Sequence, residues 1–249
     1  KLQGWVFAGV GAGIVLAGVG VLVMMIMAVT SRTIWLCFGV LAVAGTVYLS
    51  AQQVDFTRPS PGTADSTKVQ RTPLSWSIIL PYAAMGFGYI VPATYLPVMA
   101  KVILPSPLMF GLGWPVFGAA AAISTIWIGR LETRYSNKQI WLICQTMMAL
   151  GLLAPVMSQS IFAIIIAALC VGGTFMVITM VGMKEAHRIA GPGDVQRHVA
   201  AMTFAFATGQ IVGPFVAGWA FEATGSFSYP LIFAGVLLAI SLVPMLANH

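Results

Sequence analysis

The chain has 249 residues, of which 59% are hydrophobic and only 7% charged; soluble domains are typically about 25% charged. A mean hydropathy of +0.94 excludes a water-soluble globule and predicts an all-α polytopic membrane protein. The formal net charge of +6 is spread over short loops and forms no basic stripe, which excludes a nucleic-acid partner.

Eight apolar spans are predicted in chain order. The first, residues 4–29, carries Gly9, Gly11, Gly13, Gly18 and Gly20; Gly9 and Gly13 make a small-xxx-small pair, which predicts a close helix–helix seam. The second covers 33–51 and holds Trp35 and Cys37. Residues 55–72, DFTRPSPGTADSTKVQRT, are polar and rich in Pro, Ser and Thr, and read as a flexible interdomain loop.

The third span, 74–104, is the unusual one. Its middle holds Gly86, Gly88, Pro92 and Pro97, with Tyr82, Tyr89, Thr94 and Tyr95 among them. Each proline removes an N–H and frees a carbonyl one turn earlier, which must find a partner inside a membrane. A kinked helix, packed within protein and turned partly toward a polar cavity, is expected. Tyr89 and Thr94 are five residues apart, so both face such a cavity only if Pro92 bends the helix.

The fourth span is 108–129, with Trp114, Gly118, Ala121 and Thr125 on one face; the fifth is 139–157, where Gln145 is the strong polar group. The sixth, 161–183, has Gly172, Gly173 and Thr174 at its centre and ends in a charged loop at 184–198. The seventh, 199–221, places Thr203, Ala207, Gln210 and Pro214 on one face, with Gly209 and Gly213 offering a close seam; the eighth, 229–247, is apolar throughout.

Lys1, Arg58, Lys68, Arg71, Arg130, Arg134, Lys138, Lys184, Arg188 and Arg197 fall at one set of span ends, and Arg32 and Lys101 at the other, ten against two. The positive-inside rule puts the ten in the cytoplasm, together with the 55–72 loop. No Asp, Glu, Lys, Arg or His falls in the middle of a span. His187, His198 and His249 lie in loops or at the terminus, and Glu185 and Glu222 sit at span ends, where solvation is expected. Cys37, Cys144 and Cys170 read as buried free thiols. No HExxH, GxSxG elbow or metal-ligand cluster occurs, so neither an enzyme nor a bound cofactor is expected. The groups left to contact a ligand are neutral.

Three segments resemble a known family. Residues 129–138, GRLETRYSNK, are similar to the G-x-L-x-D-R-x-G-R-K loop of major facilitator superfamily transporters, with Thr133 at the Asp position and Ser136-Asn137 in place of Gly-Arg. Residues 209–218, GQIVGPFVAG, followed by TGSF at 224–227, resemble helix 11 of that superfamily and its turn. Residues 86–97, GFGYIVPATYLP, resemble helix 7 of its YbfB/YjiJ-type branch. The resemblance implies helices 5 to 12: residues 1–53 as the last two helices of the N-terminal bundle, 54–73 as the cytoplasmic interdomain loop, and 74–249 as a six-helix C-terminal bundle. It also implies that helices 1 to 4, with any site for a coupling ion, precede Lys1.

The expected function is secondary active transport of a small solute by alternating access, from a multi-pass position in a bacterial inner membrane. The alternative is a membrane scaffold that moves nothing. The candidate solute contacts are Tyr89, Thr94, Trp114, Thr174 and Gln210.

Overall fold

The structure is a computed structural model and describes residues 2–52, 72–103, 111–191 and 193–247. The predicted 55–72 loop lies outside the described residues except for Thr72. The described residues form helices α1 (Leu2–Ile26), α2 (Ser31–Ala51), α3 (Trp76–Ile103), α4 (Gly113–Leu131), α5 (Asn137–Met157), α6 (Ile161–Ile189), α7 (Val195–Thr224), α8 (Ser228–Ile240) and α9 (Val243–Ala247), with no strand among them. Among the described residues, seven stretches are long and apolar enough to cross a membrane, α8 and α9 together making the last. The described part of the fourth predicted span, α4, falls short of that hydropathy because it holds Trp114, Pro115, Ser124, Thr125 and Arg130. The chain divides into two compact units, one of Lys1–Val19 with Thr72–His249, the other of Gly20–Arg71.

In the first unit α3 packs along α7, and α6 packs along α5 and α4. The α3–α7 seam is made by glycine. A β-carbon on Gly86 would collide with the Phe206 carbonyl, and one on Gly209 with the Ala83 carbonyl; one on Gly213 would come 2.5 Å from Ile90 Cγ2. Backbones that close leave van der Waals contact as the adhesive, which suits a medium where apolar burial alone brings no helices together. Tyr95 fastens this pair farther along both helices by donating its hydroxyl to the Pro214 carbonyl at 3.1 Å. α3 stays helical through Pro81, Pro92 and Pro97.

The first span also makes a tight seam, but with different glycines from those expected. Gly9 and Gly13 have open space around them. Gly4, Gly11 and Gly18 instead meet Thr125, Ala122 and Pro115 of α4, and Gly118 of α4 meets Gly11 and Val15 in return. A seven-residue spacing keeps the three glycines on one stripe over two turns each, whereas Gly9 and Gly13 lie on another.

Other differences follow from local chemistry. The expected loop at 184–198 shrinks to residues 190–194, because KEAHRI continues α6 as helix. That extension buries Glu185, 3% exposed, which was expected to be solvated; its carboxylate accepts from Arg188 Nε at 3.0 Å and Nη2 at 2.6 Å. His198, expected in a loop, is fully buried on the first turns of α7. The eighth span is broken at residues 241–242, ahead of Pro244, which has no N–H to continue the ladder. Ser241 uses that break: its hydroxyl donates to the Leu238 carbonyl at 2.8 Å and accepts from Gln145 Nε2 at 2.8 Å. Gln145 also donates to Leu238 O at 3.1 Å and accepts from Trp141 Nε1 at 2.7 Å, so the polar group of α5 is satisfied as a lock between α5 and the break between α8 and α9. Ser136 and Gln139 form a reciprocal capping box at the start of α5, and Gly225, at φ 68°, ends α7 in the left-handed conformation.

In the second unit, α2 has no buried residue, and Cys37, expected to be buried, is exposed. The turn before α2 places Ala28 at φ 53°, with Val29 N–H donating to Met24 O at 2.9 Å and Ala28 N–H to Met25 O at 3.0 Å. This is a helix-ending turn that glycine usually fills.

Candidate functional site

Tyr89 of α3 is the hub of an aromatic cluster in the first unit. Its ring stacks on Phe175 of α6 at 4.8 Å and 22°, and meets Phe117 of α4 at 6.0 Å and Phe206 of α7 at 6.4 Å. Phe117 and Phe175 touch each other at 5.2 Å, and Trp114 packs edge-on against Phe117 at 5.6 Å. Toward the basic end, Phe206 meets Tyr82 at 5.4 Å, and Tyr82 meets Trp141 of α5 at 5.9 Å. The rings form a chain from Trp114 to Trp141 across five helices. Offset and edge-on ring pairs contribute about 0.5–1.5 kcal/mol each beyond their burial, and their faces offer π surface wherever one is uncovered.

Beside Trp114 lies a cavity of about 40 Å³ lined by Pro92, Ala93, Leu96 and Pro97 of α3, Phe117 of α4, and Ile164 of α6, among others. It is apolar, not the polar cavity expected beside the prolines, because alanine, leucine and proline side chains of α3 point into it while Thr94 is exposed elsewhere. Its size suits a water or a methyl group, not a whole solute.

The five sequence-predicted contacts fall into different surroundings. Tyr89 and Trp114 are joined through Phe117, and Trp114 is 38% exposed. Gln210 is half-buried one turn beyond Phe206 on α7, and its amide makes no hydrogen bond among the described residues. The interhelical bond that would give it a packing role alone is therefore not seen. Thr174 is 3% exposed and its hydroxyl donates within α6, to Cys170 O at 2.6 Å and Val171 O at 3.3 Å. Thr94 lies exposed and outside the cavity lining. Phe117, Phe175 and Phe206 were missed by the sequence reading. The signal was there: Phe117 is three residues after Trp114, and Phe206 four before Gln210, so each shares a helical face with a candidate.

Glu132, Lys184, Arg130, Asp194 and Arg197 lie toward the opposite end. Lys184 of α6 pairs with Glu132, just past α4. Arg130 lies over the Trp127 ring, 4.2 Å from its centroid. Thr72 is held at three points: its N–H donates to Asp194 Oδ2, Gly191 N–H donates to its hydroxyl at 3.2 Å, and Arg197 Nη1 donates to its carbonyl at 3.1 Å. His198 Nδ1 lies 3.1 Å from Asp194 O, and its Nε2 has no partner among the described residues. No cluster of His, Cys, Asp and Glu able to hold a metal occurs among the described residues.

A family model described as an uncharacterised MFS-type transporter, YbfB, matches residues 1–246. No curated protein matches the chain. The match takes in the aromatic hub, the glycine seams and the basic loops alike. The chain therefore belongs to the YbfB-type branch of the major facilitator superfamily, a family of multi-pass membrane transporters.

Proposed function

We propose that this transporter moves a small aromatic or amphipathic, uncharged solute by secondary active, alternating-access transport in a bacterial inner membrane, with Tyr89, Trp114 and Gln210 as its direct contacts. The observation that carries the reading is the Tyr89 hub: a ring cluster drawn from α3, α4, α6 and α7, with a partly exposed indole at one end, and, one turn beyond Phe206 on α7, the half-buried amide of Gln210 without a hydrogen bond among the described residues. Such a surface binds by stacking and one or two hydrogen bonds and offers no counter-charge, which selects against ions. Thr94 and Thr174 take secondary places in this proposal. Thr174 would come free only if its hydroxyl released the Cys170 carbonyl, and Thr94 only if α3 rotated it inward.

The domain division at 54–73 belongs to the same proposal, with the 74–249 bundle carrying these contacts. The cavity of about 40 Å³ beside Trp114 then marks a closed state, and solute entry requires α3 and α4 to part around Pro92 and Pro97. The test is uptake of a panel of labelled aromatic and amphipathic solutes by the purified protein in proteoliposomes under an imposed gradient. Saturable, gradient-dependent uptake that is lost in Tyr89→Leu supports the reading. A panel with no saturable uptake would favour a scaffold.

A further inference from the structure

A second cavity, of about 270 Å³, opens at the basic end of the first unit and has a mixed polar and apolar wall. It lies where α1, α4 and α6 meet, and its chemistry comes from Trp5, Thr125, Arg130, Glu132 and Lys184. Thr125 has no donor to spare, since its buried hydroxyl donates to Ala121 O and Ala122 O, both at 2.9 Å. Lys184 gives one N–H to Glu132 and keeps two; both partners remain about a quarter exposed, 26% each, so the pair is within reach of the cavity. Arg130 is fixed through the face of Trp127, which leaves its N–H edge open. The Trp5 indole makes no hydrogen bond among the described residues, and Trp5 is 65% exposed. Two cations and one carboxylate leave a net charge of about +1 in a recess large enough for a phosphate group with its ester substituents. Trp5 lines it, and Trp127 lies against Arg130 of its wall; indoles at the basic end of a span are the residues that seat at headgroup depth.

We propose that this recess binds an anionic phosphate group, with Arg130 and Lys184 donating to its oxygens and Trp5 to an ester or hydroxyl oxygen. Basic recesses between membrane helices at the positively charged face suit phosphate headgroups, where each cation contributes about fivefold in affinity. The source is either an anionic phospholipid of the inner leaflet or a free phosphate. Glu132 tempers the site, because its carboxylate competes with the incoming phosphate for Lys184. This gives variants of opposite sign from one ion pair.

The test measures binding of phosphatidylglycerol, phosphatidylcholine and inorganic phosphate to the purified full chain in detergent, by native mass spectrometry and by the rise in melting temperature. Phosphatidylglycerol is expected to bind more tightly than phosphatidylcholine. Arg130→Gln should weaken it about fivefold, and Glu132→Gln should tighten it by a similar factor. Because Arg130→Gln and Glu132→Gln pull in opposite directions, a general loss of folding cannot mimic the pattern. Competition by millimolar inorganic phosphate with the same variant order assigns the free anion as ligand; lack of competition assigns the lipid. Equal binding of both lipids with no effect of inorganic phosphate, or the same affinity in the parent and both variants, overturns the proposal.

Discussion

α2 and α3 are both long enough to cross a membrane, and by composition α2 is the more apolar of the two. Yet α2 has no buried residue, whereas 61% of the apolar stretch of α3 is buried. The ordering is the reverse of that in a water-soluble protein. Lipid solvates leucine and valine as well as a protein interior does, so apolar side chains alone give a helix no reason to be covered. What buries α3 is what makes it less apolar: Gly86 and Gly88 let other elements approach its backbone, and Tyr82, Tyr89 and Tyr95 find rings or carbonyls across the interface. In α2, Gly39 and Gly45 meet nothing within 4 Å, and Thr46 and Ser50 donate back to their own helix.

The largest expected effect lies on the α3 side. Gly86→Leu drives a side chain into the Phe206 carbonyl, which flexible side-chain motion cannot relieve. A loss of about 3 kcal/mol is expected, at the upper end of overpacking costs, read as a drop in melting temperature and in monodisperse yield in detergent. Next is Gln145→Leu in α5, which removes the acceptor of Trp141 Nε1–H inside a fully buried site. About 2 kcal/mol is expected, within the range for a buried donor left unpaired. On the α2 side the effects shrink and change sign. Ala28→Gly relieves a left-handed backbone position and should stabilise by up to about 1 kcal/mol. Leu41→Ala in α2, at a side chain 65% exposed, should stay within about 0.5 kcal/mol. A loss at Leu41 as large as that at Gly86 would erase the contrast between the two helices.

Much of this was legible in the sequence. Hydropathy gave the helical spans, and the Gly209–Gly213 pair marked a close seam, whose partner α3 comes only from the placed helices. Tyr89 and Gln210 stood out because polar groups in mid-span are rare. The partner rings were not legible, since Phe117, Phe175 and Phe206 are indistinguishable from lipid-facing phenylalanines until the helices are placed. The choice of Gly4, Gly11 and Gly18 over Gly9 and Gly13 likewise depends on which stripe faces α4. Burial of Glu185 and His198 was hidden because helix extension past a charged segment is decided by tertiary contact, not by local composition.

The central claim is that the glycine- and proline-rich α3 carries solute contact at Tyr89, with Gln210 of α7 as a second contact. Gradient-driven uptake in proteoliposomes tests it most directly, comparing the parent with Tyr89→Leu, Gln210→Leu and Leu41→Ala at matched protein content. The account predicts uptake reduced at least tenfold in Tyr89→Leu, about 1.4 kcal/mol of lost interaction, a smaller loss in Gln210→Leu, and parental uptake in Leu41→Ala. Parental uptake in both Tyr89→Leu and Gln210→Leu would contradict it.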